Sequence, residues 1–378
     1  MYYVGESISA EKVKERIVNL LLKDPSIENP EKDTSIFKWF KKKSKNPVQI
    51  TNPIIKDSLL GTEYIIKVND SNKNFSKECN RLENEYITQL FLNTHISEYE
   101  REFRSQTYEN TGGIIRRPVL FFKNKNKAIF IQRKTATESL EENIIKGNPK
   151  QISQEIINAL FSLATIHTIS TSALKKGGND YYFETADSTN NAYISIIPEL
   201  IYAENLEKRF ISRIGDNNKL KKFEEKYKKY INNIKTKFFL HGDYYPTNIL
   251  SEGQIIDLEK RCMGSPTLDI AHLLEHPRIG STREYLEVYA KSFEKINNNL
   301  GKDGQYIYDI INQEYEKNAV HVNLCLTGAM LAQENIQYAQ LHLTKALWIL
   351  ENTNANELKE SLTDYIRASP HESLKQIL

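Results

Sequence analysis

Hydrophobic and polar positions follow two rhythms along this chain, and the change comes near residue 135. Between about 49 and 134 the apolar residues fall in short β-rich runs, "VQITNPII", "TEYIIKV", "PVLFF" and "AIFIQ", separated by polar turn residues. Runs of that kind predict strands. One stretch interrupts them, "NFSKECNRLENEYITQLFLNTH", in which Leu82, Tyr86 and Leu90, with Ile87 and Phe91 on a neighbouring row, keep helical spacing. From about 136 onward helices take over: "ISQEIINALFSLATIHTIS" has a clear helical period, and so does much of 282 to 366. Residues 1–48 read as an appendage. Ser9 is a candidate N-cap for an amphipathic helix that runs to Lys23 and ends at "SIENPEKDTS"; "IFKWFKKKSK" then sets Phe37, Trp39 and Phe40 among lysines. That cluster is expected to dock its aromatics on the body of the protein, with its lysines in water, rather than to bind a membrane surface. The pattern predicts an α+β fold in three parts: a helical, basic extension over 1–48, a small β domain with one helix over 49–134, and a larger, mainly helical domain over 135–378.

Composition narrows the possible functions. The 378 residues are 39% hydrophobic and 26% charged, the balance of a folded chain rather than a disordered one. A net charge of +2, from 51 basic and 49 acidic side chains, argues against nucleic acid as the partner. Cys79, Cys262 and Cys325 are too few and too scattered for a disulfide framework or a Cys-x-x-Cys metal site, so a reducing, cytoplasmic location is expected. Charges break up the first residues, unlike a signal peptide, and no long uninterrupted apolar window suggests a membrane span.

The chemistry concentrates in "FFLHGDYYPTNIL", residues 238–250, and in "NILSEGQIIDLE", which follows on from it. Ser251 to Gln254, with Gly253, is a turn signal between two apolar runs. With Glu252 and Gly253 central to the turn, Leu250 would face Ile255, Ile249 would face Ile256, and Asn248 would face Asp257. Directly opposed side chains have Cβ atoms about 4.5–5.5 Å apart, close enough for one small cation to touch both. An amide oxygen and a carboxylate, with room left for water and phosphate, suit magnesium. Asp243, on the loop just before this pair, is then expected beside the terminal phosphate of a nucleotide. There a carboxylate can accept the proton of an attacking hydroxyl and hold that hydroxyl in line.

"HGDYYPTNIL", followed by "IIDLEKRCMGSPTLDIAHLL", resembles the aminoglycoside phosphotransferase and choline kinase-like small-molecule kinases, from about residue 50 to the C-terminus. The resemblance implies a two-lobed protein-kinase-like fold, with a small, mainly antiparallel N-lobe and a helical C-lobe. It implies a phosphotransferase that moves the γ-phosphate of magnesium-bound ATP or GTP to a hydroxyl of a sugar, amino-alcohol, nucleoside or aminoglycoside. By the same resemblance Asp243 is the catalytic acid and Asn248 and Asp257 are the Mg2+ ligands, while His241 and Asp269 support the loop and Glu259 either acts through a water or holds the loop. "LFSLATIHTIS" resembles another family segment, with His167 as a packed histidine. The N-lobe match is thinner. Lys67 in "EYIIKV" resembles the lysine that contacts the nucleotide phosphates, with Glu83 its expected partner and Glu85 the runner-up. Ser58 and Gly61 are expected in the phosphate loop, although the usual pair of glycines is missing there, and Gln132 at the hinge that holds the base. The alternatives are a kinase-fold protein that holds nucleotide without turnover and a metal-dependent phosphohydrolase. Nucleotide and a small-molecule alcohol are the expected partners.

Overall fold

The computed structural model describes residues 54–57, 62–69, 75–103, 114–115, 118–123, 128–134, 138–147, 149–177, 180–182, 193–194, 199–279 and 283–378. The 1–48 extension, Ser58 and Gly61 lie outside the described residues. The fold is α+β, and the chain divides into two compact units: residues up to Thr137 with Tyr182–Ser195, and Glu138–Tyr181 with Ile196–Leu378.

The first unit contains an antiparallel sheet of β1 (Ile54–Asp57), β2 (Thr62–Asn69), β3 (Pro118–Lys123) and β4 (Ala128–Lys134), in the order β1-β2-β4-β3. Helix α1 (Phe75–Phe103) packs on β2, β3 and β4. Its buried stripe runs through Glu85, Thr88, Gln89, Leu92, Ile96 and Tyr99, whereas Leu82, Tyr86, Ile87 and Leu90 are only half-buried. Of the residues whose spacing predicted the inner face, Phe91 alone is fully buried. The phase differs from the expectation because the inner stripe begins with three polar side chains, and an apolar-period reading assigns such residues to water.

The second unit is mainly helical. Its first helix, α2 (Leu140–Lys146), starts at a capping box: the Ser139 hydroxyl accepts from the Glu142 amide, and the Glu142 carboxylate accepts from the Ser139 amide. Helix α3 (Pro149–Thr165) continues through a π-helical turn, Ile166–Ser170, to Ala173. This run is long and apolar enough to cross a membrane by length and composition, yet most of its apolar window is buried inside the protein, as in a core helix. Helix α4 (Tyr202–Leu206) also runs into a π-helical turn, Glu207–Ile211. Further on are α5 (Leu220–Ile231), α6 (Pro266–Leu274), α7 (Arg283–Asn299), α8 (Tyr306–Ala332), α9 (Ile336–Asn352) and α10 (Asn356–Arg367).

Every residue of α6 is buried, which makes it the central helix, with α8 packed on it and α9 on α8. Phe210, Phe223 and Tyr365 form an aromatic cluster that ties α4, α5 and α10 together, with the Phe223 and Tyr365 rings stacked 5.2 Å apart. Burying one such ring fully contributes about 1.5–3 kcal/mol.

Between α5 and α6 lie two nested ribbons. The outer one pairs β5 (Phe238–Leu240) with β8 (Cys262–Gly264), matching Leu240 to Cys262. The inner one pairs β6 (Ile249–Leu250) with β7 (Gln254–Ile255). The outer pair closes the base of the segment 241–261, so its first and last residues run side by side.

Candidate active site

Asp269 is the anchor of the site. It sits in the first turn of α6, behind the Ser265 N-cap, and is fully buried. Its two oxygens accept from the backbone amides of His241 (2.7 Å) and Gly242 (2.9 Å). His167 Nε2 lies 3.1 Å from the same carboxylate and His272 Nδ1 3.8 Å. Burial pushes this carboxyl up, but the bond to His167 and the neighbouring His272 and His241 outweigh it, so the group is held well below the ordinary carboxylate range. The π-helical turn Ile166–Ser170 brings His167 here, and the other ring nitrogen meets the Tyr289 hydroxyl at 2.7 Å. Asp269 thus fixes the backbone at the start of the loop.

His241 is tied down at both nitrogens. Nδ1 accepts from the Asp243 amide (3.2 Å), so Nε2 carries the hydrogen and donates to the Ile256 carbonyl (2.8 Å). A ring with both nitrogens engaged is a strut between the two limbs of the loop. The next residue has to be glycine. Gly242 has φ +80°, and a Cβ there would lie 2.1 Å from the Lys260 carbonyl oxygen. Continuing the β5–β8 register past Leu240 and Cys262 sets residue 242 opposite residue 260, which explains that close approach.

The same register delivers Lys260 to Asp243. Its ammonium lies 2.7 Å from Asp243 Oδ2, and Arg209 Nη2 lies 3.8 Å from Oδ1. Burial raises the Asp243 carboxyl, but Lys260, His272 and Arg209 together overcome it and hold the group below its usual range. The carboxylate is therefore ionised at neutral pH, a weak base that can accept a hydrogen bond from a hydroxyl. Arg209 reaches it from the π-helical turn Glu207–Ile211. Helix α8 passes close by only because residue 328 is glycine: a Cβ there would stand 1.9 Å from the Arg209 carbonyl oxygen. Burial lowers the Arg209 guanidinium, while Tyr245, Cys325 and Asp243 raise it by more, so it keeps its charge.

Asn248 donates from Nδ2 to the Asp243 carbonyl (2.8 Å) and, at 3.4 Å, to its Oδ2. Those bonds orient the amide and leave Oδ1 as the acceptor. The hairpin register is one residue off the expected one: Leu250 pairs with Gln254 and Ile249 with Ile255, and the Ile256 amide donates to the Asn248 carbonyl. Asn248 therefore opposes Ile256, not Asp257. The loop has three residues instead of two because Glu252 adopts a left-handed backbone (φ 65°). A one-residue slip would send Asp257 to the opposite face of a regular strand. That rule does not fix the side of Asp257, which is left-handed (φ 64°, ψ 54°) and ends the strand. It follows directly on the residue bonded to Asn248, and Glu259 comes next in the turn Leu258–Lys260, half-buried.

An amide oxygen and a carboxylate at one end of a ribbon fit a hard cation. Among the described residues no three His, Cys, Asp or Glu side chains converge on a metal-sized site. A cation held here would draw the rest of its shell from water and phosphate, as magnesium does.

In the first unit, Lys67 Nζ contacts both Glu85 oxygens, at 2.7 and 2.8 Å, with Glu85 1% exposed. The lysine's partner is thus Glu85 rather than the expected Glu83. Gln89 bonds Glu85 (3.2 Å) and Gln132 (3.0 Å), extending the network into β4. Gln132 is buried in the middle of the sheet, opposite Ile65 on one side and Pro118 on the other. Its side chain braces α1 from β4, the strand at whose end the base-holding hinge was expected.

A cavity of about 800 Å3 opens within the second unit, and Asp243, Tyr245, Lys260, Arg209, Arg213 and Arg278 are in its wall. Tyr244 faces the other way, fully buried with its hydroxyl on the Ala159 carbonyl (2.8 Å). The sequence reading missed Lys260 and the three arginines. For Lys260 the signal was the β5–β8 register; the arginines had no local signal.

Residues 201–302, which hold all of the loop, match a family described as a phosphotransferase enzyme family. No curated protein matches the chain significantly in sequence. Among solved structures, the chain is similar to a mutant aminoglycoside 2'-phosphotransferase IIIa in complex with GDP, with a TM-score of 0.43 and 13% identity over 82% of this chain and 91% of that one. It is similar to an aminoglycoside 3'-phosphotransferase of type VIII, with a TM-score of 0.39 and 12% identity over 69% and 87%. A choline kinase from Cryptosporidium parvum Iowa II gives a TM-score of 0.41 and 12% identity over 72% and 80%.

Proposed function

We propose that this protein is a small-molecule kinase with a two-lobed protein-kinase-like fold, and that it moves the γ-phosphate of magnesium-bound ATP or GTP to an alcohol. The observation that carries this reading is the double lock on Asp243, in a segment that matches a phosphotransferase family. Asn248 holds its carbonyl, and Asp269 holds the two amides before it.

Phosphoryl transfer through a loose transition state asks mainly for positioning and charge neutralisation. Asp243, ionised and held by Lys260, is suited to accept a hydrogen bond from the acceptor hydroxyl and aim its oxygen at the γ-phosphorus. As the new P–O bond forms and the bond to the β-phosphate oxygen breaks, the hydroxyl proton passes to the Asp243 carboxylate. Low basicity suits a late proton transfer. Asn248 Oδ1 and the Asp257 carboxylate are the groups that would hold magnesium, whose chemistry is to neutralise phosphate charge. In the first unit, the Glu85 clamp makes Lys67 a fixed ammonium of the kind that binds phosphate oxygens.

Three proteins test this reading. Wild type is expected to show a magnesium-dependent thermal shift with ATP or GTP. Asp257→Ala should lose that shift, and Asp243→Ala should keep it while losing turnover. Full turnover by Asp243→Ala would defeat the assignment.

A further inference from the structure

The charge of the cavity identifies the kind of acceptor. Among the described residues its wall carries five cations, Lys208, Arg209, Arg213, Lys260 and Arg278, against two carboxylates, Asp243 and Glu141. Both carboxylates are already matched. Asp243 has Lys260 and Arg209, and Glu141 has His276 at 2.9 Å. The hydrogen bond from His276 lowers the Glu141 carboxyl, burial raises it, and the His276 ring and Arg278 lower it further, so on balance it is held below its usual range and stays ionised. Lys208 has Glu204 at 3.6 Å, outside the cavity, and points largely into solvent. Burial, with help from Lys345 and His276, pushes His342 in the wall down to about 3, so it adds no charge at neutral pH.

Arg213 remains, and Arg278, which acts on Glu141 only through space. Neither has a carboxylate within 4.0 Å among the described residues, and both are exposed. They come from separate elements, the end of α4's run and the loop after α6, yet line the same cavity. A concave wall of one sign focuses its field into the space it encloses. A guanidinium offers paired donors that match the oxygens of carboxylates and phosphates.

We propose that the acceptor is an anionic alcohol, bearing a carboxylate or a phosphate ester, and that Arg213 and Arg278 bind that group while its hydroxyl meets Asp243. The proposal rests on the kinase reading above. It disfavours polycationic and quaternary-amine acceptors, because among the described residues of the wall both carboxylates already face cationic or hydrogen-bonding partners.

The test uses full-length protein and alcohols matched in skeleton but not in charge: glucose, gluconate, glucose 6-phosphate and glucosamine, then glycerol, glycerate and glycerol 3-phosphate. Nucleotide consumption is measured with each, and binding by calorimetry in the presence of magnesium and a non-hydrolysable nucleotide. An acidic member should show a KM or Kd at least about tenfold below its neutral counterpart, a gap worth about 1.4 kcal/mol. Whether the carboxylate or the phosphate member wins separates the two sources of charge. The double variant Arg213→Gln, Arg278→Gln should raise that constant about tenfold while leaving nucleotide affinity and acceptor-free nucleotide hydrolysis unchanged. A preference for neutral or cationic members overturns the proposal, as does a preference that survives in the double variant. So does failure of every anionic member to bind a protein that binds nucleotide, and that result leaves the kinase reading intact. Failure of the wild type to bind nucleotide removes both.

Discussion

Replacing Asp269 with Asn tests the brace that the whole loop depends on. The substitution keeps side-chain volume and removes one acceptor oxygen, so it isolates hydrogen bonding and charge from packing. The carboxylate accepts from the amides of His241 and Gly242 and contacts His167, all buried or nearly so. An amide can satisfy one of those N–H groups but must turn its own NH2 toward the other. A buried donor left without a partner costs about 1–3 kcal/mol, and losing the charge-assisted bond to His167 adds about 1–2, so the expected loss is about 2–5 kcal/mol at pH 7. That loss should appear as a lower urea midpoint by circular dichroism, together with loss of turnover as Asp243 shifts.

The effect has a sign in pH. The folded-state pKa of Asp269 is depressed, so its stabilisation is complete above the unfolded value and is lost as pH falls toward the folded one. With an unfolded pKa of about 3.9, wild type should lose about 1 kcal/mol more than Asp269→Asn between pH 4 and pH 3. Equal midpoints at pH 7, or a gap unchanged at pH 3, would refute the brace.

Two further substitutions probe the neighbours. Lys260→Ala removes the ammonium that most lowers Asp243, so the acidic limb of the pH–rate profile should move to higher pH, with kcat/KM down about tenfold or more; an unmoved limb would detach Lys260 from Asp243. Glu85→Gln weakens the clamp on Lys67 and should raise the nucleotide KM by about tenfold, the scale of one charge-assisted bond, whereas Glu83→Gln should change it less than about twofold. Comparable effects from the two would contradict the pairing seen here.

Much of this protein was legible along the chain. The β-rich runs before 135 and the helical period after it correspond to the sheet of the first unit and the helices of the second. The order His241, Gly242, Asp243, Asn248 was enough to single out the loop, because a tight turn and its hydrogen bonds depend on near neighbours. Even Gly242 had a local logic, since few other residues accept a left-handed backbone.

Tertiary structure decided the rest, each time because an interaction between distant residues outweighed a local pattern. Hydrophobic periodicity records which residues avoid water, so it could not find Glu85, a buried acid held in the core by Lys67 eighteen residues earlier. Turn residues could not distinguish a two-residue from a three-residue loop: the left-handed backbone of Glu252 shifted the pairing by one, and that of Asp257 ended the strand. Arg209 needed both a π-helical turn and a glycine on another helix, Gly328, to reach Asp243. The cationic cavity joins residues from 208 to 278, and no sequence window holds a charge balance that only folding assembles.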